Sequence, residues 1–204
     1  MEDIVVKVPG PVETMSLPDP TLLDYYKDLN ERIIWIDEDI DDYTLNVVKK
    51  ITQWNREDKK KPPEKRKPIK IIFYSFGGSL DVHNTLIDII KLSKTPIWGI
   101  NAGRCMSAAA MIFLSCHKRL MLENASFLFH QGSGAFSGTF GEVMAQMAEY
   151  QQSVEKLTRF MVEHTKYTAE EVEENICGEW YIRADEAIEK GVCEEIVTDI
   201  SLLV

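Results

Sequence analysis

A chain of 204 residues, 45% apolar and 27% charged, is long enough to bury one domain-sized core and too apolar to remain disordered. Its formal charge of −10 argues against nucleic acid as the main partner, because phosphate binding wants clustered cations. No run approaches the roughly 18 apolar residues of a membrane helix. The start Met1-Glu2-Asp3-Ile4 also lacks the basic and apolar regions of a signal peptide, so a cytoplasmic protein is expected.

Residues 1–20 contain Pro11, Pro18 and Pro20 without a sustained period and read as an N-terminal arm ahead of a single domain over 21–204. The pattern then predicts a short helix over Thr21–Leu29, a strand over Arg32–Ile36, and a helix over Asp41–Trp54 with Leu45, Val48 and Ile51 on one face. Asn55–Pro68 reads as a solvated loop with three prolines. Residues 56–70 hold eight Lys or Arg against Glu57, Asp58 and Glu64. Ile69–Ser75 is a continuous apolar strand ending at Phe76-Gly77-Gly78. The next helix has Leu80, Val82, Leu86, Ile87 and Ile90 as its apolar set and His83 on its flank. Pro96–Ile100 is a strand broken at Ala102-Gly103, and Ser107-Ala108-Ala109-Ala110 opens another helix. Short strands follow at Arg119–Leu122 and Ser126–Phe129. This alternation is the grammar of an α/β fold on a largely parallel sheet.

The stretch from Gly132 to Gly138 is too glycine-rich for an interior strand. After it, Val143, Met147, Tyr150, Val154, Leu157, Met161 and His164 recur at helical spacing. This stripe suits either a core helix or a partner surface. Capping boxes at Thr139/Glu142 and Thr168/Glu171 open this helix and the next. The tail reads as a helix over Ala184–Lys190, a cap at Gly191, and a strand over Val192–Val197. Cys105, Cys116, Cys177 and Cys193 form no C-x-x-C pair and have no histidine at zinc-site spacing. They read as reduced thiols, with no metal and no cofactor expected.

Three segments bear chemistry. Ser107 follows a strand and a glycine-containing turn at a helix start, where backbone N–H groups stabilise an oxyanion; a simple N-cap fits the same place. His130 ends an apolar strand, as a general base beside a cleft does, although it also fits as an ordinary boundary residue. Gly77-Gly78 lets backbone N–H groups approach an oxygen closely, or makes a tight turn. Neither a P-loop lysine nor a full G-x-G-x-x-G accompanies it.

The ordered set Phe-Gly-Gly-Ser (76–79), Gly-Arg-Cys-Met-Ser-Ala-Ala-Ala (103–110), Phe-Leu-Phe-His-Gln (127–131) and Trp-Tyr-Ile-Arg-Ala-Asp-Glu-Ala-Ile-Glu-Lys-Gly-Val (180–192) resembles the Clp protease proteolytic subunit (ClpP) family of serine peptidases. The likeness runs from about Tyr25 to Val197. It implies a ClpP/crotonase-like fold of repeated ββα units with a protruding handle helix. It further implies Ser107 as nucleophile, His130 as general base, and the N–H groups of Gly78 and Ala108 as oxyanion hole. Glu179 stands at the family's third catalytic position, usually Asp. Gly77, Gln131, Gly132, Ser133 and Gly134 would line the substrate, paired through main-chain hydrogen bonds. The family also implies a homo-oligomer of stacked heptameric rings, peptide and protein substrates, and an AAA+ ATPase unfoldase as partner. The arm 1–20 would be an axial-pore segment.

The chain departs from the family in three places. Glu179 adds a methylene to the third carboxylate, about 1.5 Å of extra reach. Gly132 replaces the usual Pro after His-Gln, and Gly178 replaces an Arg. These departures leave two alternatives to a working protease: a catalytically impaired ring subunit, and a crotonase-type acyl-CoA enzyme on the same scaffold.

Overall fold

The structure, a computed structural model, describes residues 20–132 and 135–203. The expected arm, apart from Pro20, lies outside the described residues, as do Ser133 and Gly134. Helix α1 (Pro20–Asn30) leads into strand β1 (Ile33–Ile36), followed by α2 (Leu45–Glu57), β2 (Ile69–Ser75), α3 (Leu80–Leu92), β3 (Ile97–Met106) and α4 (Ala108–Ser115). Strands β4 (Lys118–Met121) and β5 (Ser126–Phe129) come next, then the long α5 (Phe140–His164) and α6 (Ala169–Asn175). Strand β6 (Trp180–Arg183), α7 (Ala184–Glu189) and β7 (Glu195–Ile196) complete the domain.

Strands β1, β2, β3, β4 and β7 lie side by side in that order, all parallel. Strand β5 leaves this row, pairing parallel with the far end of β3 and antiparallel with β6. The fork has a visible cause in Asn101. Up to that residue β3 pairs with β4, and from Arg104 onward it pairs with β5. The buried Asn101 carboxamide donates to the Ser126 carbonyl at 2.9 Å and accepts from the Gly103 N–H at 3.2 Å, satisfying polar groups that the splitting strands leave unpaired. Ala102-Gly103 therefore bulges β3 rather than ending it: one residue separates Phe73 from Ser75 where three separate their partners Asn101 and Cys105.

The main core lies between the sheet and helices α2 to α4 and includes Ile71, Phe73, Leu86, Ile90, Phe113 and Phe127. Helix α4 is apolar all round and every one of its residues is buried, as expected for a helix with no solvent face. On the other face of the sheet, Ile33, Ile72, Ile100 and Leu120 form a smaller cluster, packed by Val197, Leu202 and Leu203.

Several expectations shift. Helix α2 runs three residues past Trp54, and the supposed solvated loop after it is anchored. Asp58 is fully buried against the Arg32 guanidinium, with the Thr95 hydroxyl also donating to it. The chain from there to Pro68 is pinned at its start because this carboxylate cannot leave its partners. His83 is buried, not on a solvent flank. The final strand contracts to Glu195–Ile196. Helix α5 buries only Phe160 and Met161. Its N-terminal half stands clear of the domain, with Phe140, Met144 and Met147 exposed, so the stripe is not that of a core helix. No helix among the described residues is long and apolar enough to cross a membrane.

Candidate active site

Ser107 and His130 sit one residue beyond the ends of neighbouring parallel strands. Met106 of β3 pairs with Leu128 of β5, and the Ser107 N–H donates to the Leu128 carbonyl at 3.0 Å, so the ladder continues to the serine itself. Two strands in fixed register thus deliver both side chains to one point. The His130 Nε2 lies 2.8 Å from the Ser107 Oγ. Ser107 has φ 52° and ψ −123°, a left-handed conformation that non-glycine residues rarely adopt. The strain turns the chain sharply from β3 into α4 and lifts the hydroxyl out of both elements, as a nucleophile at a strand-to-helix elbow requires.

That elbow fits against the glycine turn. A Cβ on Gly77 would lie 2.7 Å from the Met106 carbonyl oxygen and 2.8 Å from the Ser107 Cβ, so only glycine permits this approach. Gly77 has φ +106° and Gly78 φ +148°. The turn is held from behind: the Ile40 N–H donates to the Gly77 carbonyl and the Ser79 N–H to the Ile40 carbonyl, each at 2.7 Å. These bonds belong to a parallel bridge between Ile40 and Gly78, which directs the Gly78 N–H away from Ile40. The Ala108 N–H opens α4 and lies within the turn whose donors have no intrahelical acceptor.

The structure brings Ser107, His130, Gly77, Gly78 and Ala108 together. It does not bring Glu179 into contact with His130. The pairing of β5 with β6 ends at Phe129 and Trp180, one residue short of both, and the exposed Glu179 carboxylate accepts from the Tyr181 hydroxyl at 3.0 Å. Gln131 and Gly132 lie just past His130, and the Gln131 N–H donates to the Ile176 carbonyl at 3.0 Å.

Three positioning residues escaped the sequence reading. Ser75 donates to the Glu38 carbonyl at 2.6 Å and accepts from the Gly77 N–H at 3.1 Å, fixing the glycine turn. Asn101 holds the strand fork. The Tyr150 hydroxyl donates to the Gly132 carbonyl at 3.1 Å, tying α5 to the chain after His130. Only Tyr150 carried a signal, as a polar-tipped member of the helical stripe.

The cysteines are all free. Burial pushes the Cys193 thiol up to about 11 and raises the Cys105 and Cys116 thiols well above the ordinary thiol range, so these three are inert at neutral pH. No cluster of metal-ligating side chains occurs among the described residues.

A strained serine at a strand-to-helix turn with an imidazole on its hydroxyl, carried on a forked parallel sheet, is an arrangement suited to hydrolytic chemistry. The Clp protease family model matches residues 19–199, and the chain belongs to that family. It is 31% identical over 132 residues to ATP-dependent Clp protease proteolytic subunit 3 of Rhizobium etli, covering 64% of this chain and 68% of that one. The subunit 3 of Rhizobium johnstonii is 32% identical over the same shares. The fold matches that of a ClpP1 point mutant from Listeria monocytogenes with a TM-score of 0.75 and 23% identity, across 88% of this chain and 98% of that one. The fold is that of ClpP, with α5 as its protruding helix.

Proposed function

We propose that the protein is a serine endopeptidase subunit that cleaves unfolded polypeptides inside an oligomeric chamber in the cytoplasm. The observation that carries this reading is the 2.8 Å contact between the His130 Nε2 and the strained Ser107 hydroxyl. In the reaction, the Ser107 Oγ attacks the scissile carbonyl carbon as its proton passes to the His130 Nε2. The carbonyl oxygen becomes an oxyanion that accepts from the Gly78 and Ala108 N–H groups. Collapse breaks the C–N bond, and the His130 imidazolium returns the proton to the departing amine. Water, deprotonated by His130, then attacks the acyl-serine and releases the second product.

The sequence has no Walker motif, so any ATP-driven unfolding comes from a separate partner. The uncovered stripe of α5 supports assembly into stacked rings. Treatment with a fluorophosphonate probe tests the chemistry: labelling that disappears in Ser107→Ala supports it, and an unlabelled wild-type chain sinks it. A solution mass near 14 protomers supports the chamber, whereas a stable monomer removes it. The Glu179–Tyr181 bond favours a second reading, a subunit of impaired catalysis within the same assembly. That reading predicts slow labelling and little peptide turnover.

A further inference from the structure

Helix α5 reaches the chain just past His130 through one polar atom. The Tyr150 hydroxyl lies 3.1 Å from the Gly132 carbonyl oxygen and 3.4 Å from that of Gln131, so its single proton is shared between two successive peptide groups, the nearer one favoured. From the other side, the Gln131 N–H donates to the carbonyl of Ile176, the residue that caps α6, at 3.0 Å. The two residues after His130 are thus held from α5 and from the end of α6 at once.

Packing does not require the hydroxyl. The Tyr150 ring meets Phe136 edge-on with centroids 5.6 Å apart, a contact that phenylalanine would make equally well. The backbone at Gly132, however, needs an outside tie. Gly132 has φ +85°, and a Cβ placed on it would meet nothing within 4 Å, so glycine is there for the direction of the chain and not for want of space. Proline, the usual residue of the family at this position, locks φ near about −65° and cannot take that direction. Proline's ring also restrains the chain by itself, whereas glycine gives it more freedom than any other residue.

We infer that Tyr150 is a positioning residue for the peptide substrate: its hydroxyl fixes the carbonyls of Gln131 and Gly132, so that an extended peptide meets one backbone orientation, and it supplies from α5 the restraint that proline's ring would supply within the chain. The inference rests on the peptidase reading and deepens it. Pairing along a main chain needs several peptide units, so the tie matters for long substrates and little for short ones.

The test uses the full-length protein and two diphenyl phosphonates with the same residue bonded to phosphorus, one closed by a small acyl cap and one extended by three further residues, with the rate of Ser107 modification as readout. The wild type reacts faster with the longer reagent. In Tyr150→Phe the long-to-short rate ratio falls by about two- to tenfold, as the loss of one neutral hydrogen bond predicts. Gly132→Ala, which no longer settles easily at a positive φ, lowers the ratio as well. The double variant lowers it no further than the worse single one, because both act on the same peptide groups. The ratio is taken within each preparation, so a smaller folded fraction cancels. A wild type indifferent to length, or a Tyr150→Phe protein whose ratio is unchanged even where both rates fall together, overturns the inference while a simple fluorophosphonate still labels Ser107. Fully additive losses in the double variant overturn action through Gly132. Failure of the simple fluorophosphonate to label Ser107 in the wild type overturns the peptidase reading and this inference with it.

Discussion

The Glu179 carboxylate accepts its hydrogen bond from the Tyr181 hydroxyl at 3.0 Å and makes none to His130. The Tyr181 hydroxyl thus holds the carboxylate that the family resemblance assigns to the His130 imidazole. The bond raises the proton affinity of the Tyr181 phenol, which keeps it a donor through neutral pH. Tyr181→Phe releases the carboxylate and raises Ser107 labelling by roughly two- to fivefold, the scale of an exposed polar contact. Adding Glu179→Gln to that variant abolishes the gain. If both substitutions leave the rate unchanged, Glu179 takes no part in catalysis.

Gly77 decides how closely the glycine turn approaches the nucleophile. In Gly77→Ala the new Cβ meets backbone on two sides, Met106 O and Ala108 N, and neither can yield as a flexible side chain would. The elbow must open, carrying Ser107 away from His130 and Ala108 away from its proposed place in the oxyanion hole. Loss of such a donor alone costs about 10²–10³ in rate. Fluorophosphonate labelling of Gly77→Ala should fall by at least that factor while its circular dichroism remains that of the wild type.

The buried Asp58 makes stability depend on acid. Hydrogen bonds from Arg32, joined by Lys61, hold its carboxyl below the ordinary carboxylate range against the opposing effect of burial. The folded chain therefore binds this proton less readily than the unfolded chain. The stabilisation is fully present above a pH of about 4, the unfolded carboxyl value, and is lost progressively as the pH falls below it. Asp58→Asn leaves the Arg32 charge without its partner and should cost about 3 kcal/mol at neutral pH. Urea unfolding at pH 7 and pH 3.5 measures both effects: the gap between wild type and variant narrows at the lower pH.

Where one stretch of chain carries its own signal, the sequence sufficed. The unbroken apolar run Ile69–Ser75 is a strand with the expected bounds, and the capping box at Thr139/Glu142 marks the start of α5. Ser107 and His130 each also fit as ordinary boundary residues in their own segments; the family resemblance paired them, and the structure sets their side chains 2.8 Å apart. What stayed hidden depends on partners distant in sequence. Nothing near Asp58 announces that Arg32, 26 residues earlier, will bury it. Ala102-Gly103 looks like a strand end, but the bulge there serves a fork created by β4 and β5. His83 reads as a flank residue of its helix, and only the tertiary packing buries it. The Glu179 side chain bonds Tyr181 two residues on, a choice of partner that its spacing from the other motifs does not reveal.

The exposed half of α5 makes the last prediction. Met144 and Met147 are each 49% exposed and Phe140 is 83% exposed, while Phe136 packs edge-on against Tyr150 beside them. Apolar side chains grouped on one projecting helix are a surface that a partner covers. Their position on a single element suits a self-complementary contact with the same helix of a second copy. Met147→Lys introduces a charge that would meet its own symmetry mate across such a contact, so repulsion adds to lost burial. The variant should shift the solution mass measured by light scattering to a smaller species and leave the monomer's circular dichroism unchanged. The isosteric Met147→Leu should keep the wild-type mass. A Met147→Lys protein of wild-type mass would place the interface on another face.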